Sequence, residues 1–92
     1  MNRAERIRAS LTKAFSPDGL EIVDESHLHA GHAGARPEGE THFRVSVTSR
    51  AFEGVGRVQR QRLVNQALAQ EFDSGLHALS IKAVAPAENE KG

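Results

Sequence analysis

Histidine is the residue type in this chain whose spacing points most directly to chemistry. Of the five histidines, four lie between positions 27 and 42. Three of these share a tract rich in alanine and glycine and the fourth follows it; the four are His27, His29, His32 and His42. Imidazole binds transition metals and changes charge near neutral pH. Because the chain contains no cysteine, a metal site in this protein would depend mainly on histidine.

Size and composition limit the classes of function. The chain has 92 residues, the size of one small domain with a modest core. Twelve lysines and arginines balance twelve acidic residues, so there is no general attraction to nucleic acid or anionic membranes. No apolar run approaches the ~18–20 residues that cross a bilayer. Without cysteine and without an apolar N-terminal stretch, the sequence predicts a cytoplasmic protein in a reducing compartment.

Hydrophobic periodicity predicts the element order α-β-β-α-β. Apolar residues at helical spacing indicate two helices, and alternation indicates three strands. The predicted elements are a helix over 3–15, strands over 20–25 and 41–49, a helix over 57–72 and a strand over 76–84. In the first helix we expect Arg3 and Arg6 to face solvent. Residues 1–86 form the predicted domain, and 87–92 a polar C-terminal tail.

This order predicts that histidines distant in sequence meet at one end of the sheet. The first two strands form a hairpin, so the histidine tract lies in the connection between them. A helix joins the second strand to the third, and such crossovers return the chain in parallel. His77 is the second residue of the predicted third strand. We therefore expect it near His42 and near the loop that carries His27, His29 and His32.

The residue types in this group of histidines limit which metal centre it could hold. Structural zinc takes four protein ligands that usually include cysteine, and catalytic zinc needs three rigidly held ligands. Two histidines can instead bind one iron of a [2Fe–2S] cluster whose other iron carries thiolates. Here the thiolates would come from another protein. Imidazole ligands dissociate when protonated, so a shared cluster of this kind would be labile.

A purely structural interpretation stays open for each histidine. A histidine in a loop is ordinarily only a polar residue, and His42 shares a strand face with polar side chains. His77 lies on the apolar-facing phase of its predicted strand, where a half-buried histidine bonded to the backbone is the common arrangement.

A nucleic-acid interface is the competing hypothesis. Between positions 50 and 62 there are four arginines and one acidic residue, and Arg57, Arg60 and Arg62 lie on the predicted second helix. The element order is also that of KH domains, but a KH domain grips nucleotides with a GXXG loop. The sequence Gly54-Val55-Gly56-Arg57 does not match that pattern. The chain also offers no aromatic platform for bases.

An enzymatic function has weaker support. Glu25-Ser26-His27 places a carboxylate, a hydroxyl and an imidazole in succession. Neighbours on an extended chain point in opposite directions, and no oxyanion-hole signature accompanies them. We therefore expect a protein that is not an enzyme.

Five segments, in order along residues 3–86, resemble the BolA family. They are Asp24-Glu25-Ser26-His27, Gly39-Glu40-Thr41-His42-Phe43-Arg44-Val45, Phe52-Glu53-Gly54, Arg60-Gln61-Arg62-Leu63-Val64 and His77-Ala78-Leu79-Ser80-Ile81. The resemblance implies an α+β, class II KH-like fold with a three-stranded mixed sheet and helices packed on one face. Within the family, the sequence resembles the bacterial type with a histidine in the first loop.

The resemblance also implies a partner and a cofactor. Members pair with monothiol glutaredoxins of the CGFS type and share a bridging [2Fe–2S] cluster. The glutaredoxin and its glutathione give sulfur ligands, and the BolA-like protein gives a histidine from the third strand plus a histidine or cysteine from the first loop. Carried over, these ligands are His77 and His29. Because the loop is longer here than in many relatives, His27 or His32 could replace His29.

The function expected from residues and resemblance together is a non-enzymatic iron–sulfur adaptor for iron sensing or cluster transfer. The alternative is a DNA-binding transcriptional regulator that uses the helix carrying Arg57, Arg60 and Arg62, since some bacterial relatives are described as regulators. The family's Arg-His-Arg is Arg60-Gln61-Arg62 here. The sequence leaves the oligomeric state open, including a weak homodimer.

Overall fold

A computed structural model describes residues 2–25 and 41–91 of the chain, and their side chains as far as Glu88. The order of the main elements agrees with the sequence prediction. In chain order they are α1 (Arg3–Phe15), β1 (Gly19–Asp24), β2 (His42–Thr48), a 3-10 turn (Arg50–Phe52), α2 (Arg57–Ala67), α3 (Ala69–Asp73), β3 (Ala78–Val84) and α4 (Pro86–Lys91). Among these residues no helix is both long and apolar enough to span a bilayer.

The three strands form one mixed sheet in the order β1-β2-β3. β1 runs antiparallel to β2, with Ile22 opposite Val45, and β2 runs parallel to β3, with Val45 opposite Ile81. Helix α1 packs on β1, α2 packs on β3, and the two helices contact each other. The predicted hairpin, the parallel crossover and the α+β class are therefore confirmed.

The core lies between the helices and the inner face of the sheet. Alternation along β2 puts Val45 and Val47 into this core while Arg44 stays exposed. Two aromatic rings meet beneath the 3-10 turn, where the centroids of Phe15 and Phe52 lie 5.0 Å apart. The buried side chains of this core are Ile7, Leu11, Phe43, Val45, Val47, Phe52, Val64, Leu68 and Leu76.

The predicted second helix is interrupted, so the prediction of a single helix over 57–72 was wrong. Leu68 has φ −108° and ψ 16°, which ends α2, and α3 begins one residue later. No glycine or proline marks the break, so the sequence gives no local signal for it. Leu68 itself is buried, and the bend carries Glu71 to the first turn of α1.

Arg3 and Arg6 were expected in solvent; both pair with Glu71, but only Arg3 is buried, and the Arg6 side chain stays 41% exposed. Arg3 is 8% exposed and its Nη1 lies 2.9 Å from Oε1 of Glu71. It also donates to the hydroxyl of Ser74, and Arg6 Nε lies 3.2 Å from the second carboxylate oxygen of Glu71. This contact ties the start of α1 to α3, and the 68 positions between Arg3 and Glu71 explain why helical periodicity missed it.

Most of the segment expected to be a polar tail is helical, since α4 spans Pro86–Lys91. Pro86 opens it, a favoured first position because proline has no N–H to leave unpaired. The Glu88 carboxylate accepts a hydrogen bond from the N–H of Ala85 at 3.1 Å, which is half of a capping box. In the sequence, a proline followed two positions later by a glutamate indicates the start of a helix. The polar composition of this segment outweighed that indication.

A matched pair of valines on α2 tests the position of the core. Val64 is fully buried, whereas Val58 on the same helix is 64% exposed. Both valine-to-alanine changes gain similar helix propensity. Val64→Ala should cost about 2 kcal/mol more than Val58→Ala because it removes buried methyl groups and leaves a cavity. The difference is measured from the urea concentrations at the unfolding midpoints, provided that the slope of the unfolding free energy against urea is the same in both variants. Equal midpoints would contradict this packing.

Candidate metal-binding site

One rim of the sheet collects the ends of three strands. β1 ends there at Asp24, and the next residue, Glu25, donates its N–H to the carbonyl oxygen of His42 at 2.8 Å. β2 begins at His42, which lies opposite Ala78, the first residue of β3. The antiparallel hairpin and the parallel crossover thus bring three chain segments to this rim, as the element order predicted.

The carbonyl oxygen of Thr41 fixes the entry into β3. It accepts the N–H of His77 at 2.8 Å and the N–H of Ala78 at 3.1 Å. Thr41 is 2% exposed, so this acceptor is shielded from water. His77 is thereby attached, through its backbone, to the residue that precedes β2.

The predicted position of His77 within its strand was wrong by two residues. β3 begins at Ala78, so His77 precedes the strand instead of being its second residue, and its side chain is exposed instead of half-buried. Alternation fails here because His77 and Ala78 both bond to one oxygen. Two exposed residues in a row then separate the buried Leu76 from the partly buried Leu79.

The rings of His42 and His77 meet at this rim. Their centroids are 5.1 Å apart and the ring planes are tilted by 52°. His42 is 7% exposed, and its Nδ1 shares a 2.9 Å hydrogen bond with the Thr41 hydroxyl. The predicted meeting of His77 with His42 is confirmed, and it gives one buried and one exposed imidazole.

The histidine tract itself, with His27, His29 and His32, lies outside the described residues. Its place near His77 stays a prediction. The described chain on either side of the tract is at the rim, because Glu25 bonds to His42 and Thr41 bonds to His77.

The described residues of the rim do not form a metal site by themselves. Within residues 2–25 and 41–91, no three histidine or acidic side chains are grouped to hold a metal ion. Beside His42 there is a shallow depression of about 290 Å³. Its lining residues are Glu25, His42, Phe43, Ala78, Leu79 and Ser80. Glu25 Oε2 lies 3.6 Å from Nε of Arg44, a cation on the exposed face of β2.

The three arginines proposed for a nucleic-acid interface differ in their exposure to solvent. Arg57 and Arg62 are exposed, but Arg60 is 8% exposed. Arg60 donates to the carbonyls of Val55 and Ala83 at 2.7 and 3.1 Å and to both carboxylate oxygens of Glu88 at 2.6 and 2.8 Å. The hydrogen bond to Glu88 raises the pKa of the Arg60 guanidinium above its usual value. Arg60 therefore anchors α4 inside the fold instead of joining a solvated basic face.

Gln61, the residue after Arg60 on α2, also serves the fold. Its Nε2 donates to the carbonyl of Ile81 at 3.2 Å. Together with the bond from Arg60 to Ala83, this contact lets α2 satisfy carbonyl groups of β3. None of these contacts favours a nucleic-acid interface.

The fold and the rim define an α+β domain of the kind found in BolA structures, and comparison with known proteins agrees. A family model described as BolA-like protein matches residues 11–88. The chain is 50% identical over 90 residues to the chloroplastic protein BOLA1 of Arabidopsis thaliana, which is 96% of this chain and 56% of that protein. It is 46% identical over 89 residues to an uncharacterized Sinorhizobium protein encoded in the cobS 5′ region, covering 96% of each.

The comparison of solved structures points the same way. BolA1 from Arabidopsis thaliana superposes with a TM-score of 0.85 at 45% identity, covering 96% of both chains. The chain belongs to the BolA family. It spans about half the length of the full Arabidopsis BOLA1 protein.

The two rim histidines should differ in their effect on stability. His42→Ala removes a buried ring that is bonded to Thr41, and we expect it to cost about 1–3 kcal/mol. His77→Ala removes an exposed ring and should change the free energy of unfolding by less than about 0.5 kcal/mol. Urea denaturation of both variants checks this. A destabilisation by His77→Ala as large as that by His42→Ala would contradict the assigned burial.

Proposed function

We propose that this protein is a non-enzymatic iron–sulfur adaptor. In this proposal it pairs with a monothiol glutaredoxin of the CGFS type and supplies histidine ligands to a [2Fe–2S] cluster that the two proteins share. The cluster, when bound, would serve iron sensing or be transferred to a recipient. The partner and the cluster follow from the family resemblance, and the rim of the sheet supplies the physical argument.

The observation that carries the proposal is the exposed imidazole of His77 at the rim. A ligand for a group held mainly by a partner must be accessible, and His77 is the exposed member of the histidine pair. Its backbone is fixed by the hydrogen bond to Thr41. Because the backbone is fixed and the ring is accessible, this residue could bind a group on a docking protein with little loss of conformational entropy.

The donor set fits half of a cluster site. The chain has no cysteine, so it can provide imidazole but no thiolate. Clusters with two histidines on one iron and thiolates on the other are established chemistry. We assign His77 and one tract histidine, His29 before His27 or His32, as the ligands of this chain. The partner and its glutathione would provide the sulfur ligands.

The geometry also supports an adaptor over an enzyme. The Thr41 hydroxyl lies 2.9 Å from His42 Nδ1, which resembles a nucleophile beside its base. Thr41 is only 2% exposed, however, so a substrate cannot reach that oxygen. The pair serves instead to hold the rim together. We place the adaptor in the cytoplasm, where a reducing environment keeps the thiols of the partner available.

Removal of His77 tests the proposal directly. The protein is mixed with a CGFS glutaredoxin, iron, sulfide and glutathione, and the visible spectrum and the cluster lifetime are followed. His77→Ala should shorten the lifetime by about tenfold or more, because even residues that only support a ligand cost 10–100-fold in metal affinity.

Lys82→Ala is the matched control, since Lys82 is an exposed residue of β3, the strand that His77 precedes, and does not line the depression beside His42. It should leave spectrum and lifetime unchanged. A His77→Ala complex with the wild-type spectrum and lifetime would remove the basis of the proposal.

A scan of the tract identifies the second ligand. His27→Ala, His29→Ala and His32→Ala are each compared in the same assay. The resemblance predicts that His29→Ala alone reproduces the loss caused by His77→Ala, because one loop ligand completes the pair. If all three single variants keep the wild-type lifetime, the tract does not supply a ligand.

A further inference from the structure

The ring of His42 lies against the exposed ring of His77. The two centroids are 5.1 Å apart with a tilt of 52°, inside the 4.5–7 Å range that aromatic pairs prefer. His42 is 7% exposed, while His77 extends into solvent. One ring is therefore part of the packed structure and the other lies against it.

Several contacts fix His42 itself. It begins the central strand, and its carbonyl oxygen accepts the N–H of Glu25 at 2.8 Å. Its ring is oriented by the 2.9 Å hydrogen bond between Nδ1 and the Thr41 hydroxyl. Burial and these bonds together leave the ring little freedom to rotate.

Thr41 and His42 act on His77 in two ways. The carbonyl of Thr41 holds the backbone of His77 at 2.8 Å, and the ring of His42 contacts its side chain. An exposed side chain ordinarily samples several rotamers, and ordering it on binding costs free energy. A neighbouring ring that favours one rotamer removes part of that cost in advance.

We propose that His42 is a positioning residue, which holds the His77 imidazole in the orientation that a ligand-sharing partner meets. This inference rests on the proposed function for its purpose, but the positioning itself is a property of the protein alone. The two histidines then have different roles: His42 orients the side chain of His77, and His77 is the exposed ligand.

The first test uses NMR of the protein without partner. His42→Leu removes the aromatic ring, and His42→Phe keeps a planar ring without nitrogen. In the wild type we expect one dominant His77 side-chain rotamer and nuclear Overhauser contacts between the two rings. The Leu variant should show averaged couplings for His77, and the Phe variant should restore one rotamer. A loss of stability alone would not produce that rescue.

A second ringless variant, His42→Val, suits a strand and is used should His42→Leu fail to fold. A wild-type His77 that already averages over rotamers, or a ringless variant that keeps the wild-type rotamer, overturns the inference. So does a folded Phe variant in which His77 is averaged.

The second test links positioning to cluster retention. In the mixed complex with glutaredoxin, the ringless variant should shorten the cluster lifetime by about two- to tenfold, the effect of losing one aromatic contact. His42→Phe should stay within about twofold of the wild type.

The two hypotheses fail separately. If His77→Ala leaves the lifetime unchanged, the proposed function fails whatever His42 does. If His77→Ala shortens the lifetime and the ringless His42 variant does not, the positioning role is wrong and the adaptor proposal stands.

Discussion

The candidate site depends on one hydrogen-bonded junction, where the carbonyl oxygen of Thr41 accepts the N–H groups of His77 and Ala78. This junction starts the parallel pairing of β2 with β3, and every later pair in the ladder follows its register. It also accounts for the exposure of His77, because two successive residues share one acceptor and the strand alternation begins only at Ala78. Without it, the backbone of His77 would not be held against the residue that precedes β2.

The rim could be predicted from the sequence because topology needs only the order of elements. A hairpin followed by a helical crossover puts the starts of β2 and β3 at one end, whatever the individual contacts are. The orientation of His77 could not be predicted, since alternation was extended two residues too far. The break at Leu68 and the role of Glu71 depend on contacts between distant segments, which local periodicity does not contain. Helix α4 was missed for a different reason: its polar composition outweighed the cap formed by Pro86 and Glu88.

Arg3 and Arg60 are structural residues. Arg3 pairs with Glu71 and Arg60 pairs with Glu88, and in both pairs the arginine side chain is about one-tenth exposed. The first pair joins α1 to α3, and the second joins α2 to α4. Glu71 is also buried, so removing one partner of that pair leaves an uncompensated charge. Glu88 is half exposed, and Arg60 is held as well by the carbonyls of Val55 and Ala83. The basic character of α2 is therefore a weak guide to what this surface binds.

The central claim of the proposed function is that this chain places an imidazole nitrogen on a shared cluster. Pulsed EPR of the reduced complex measures this most directly, with the protein labelled with ¹⁵N-histidine and the glutaredoxin unlabelled. We expect ¹⁵N couplings of the size found for directly bound imidazole, and the loss of one such coupling in His77→Ala. A spectrum without strong ¹⁵N coupling, or one that His77→Ala leaves intact, would contradict it.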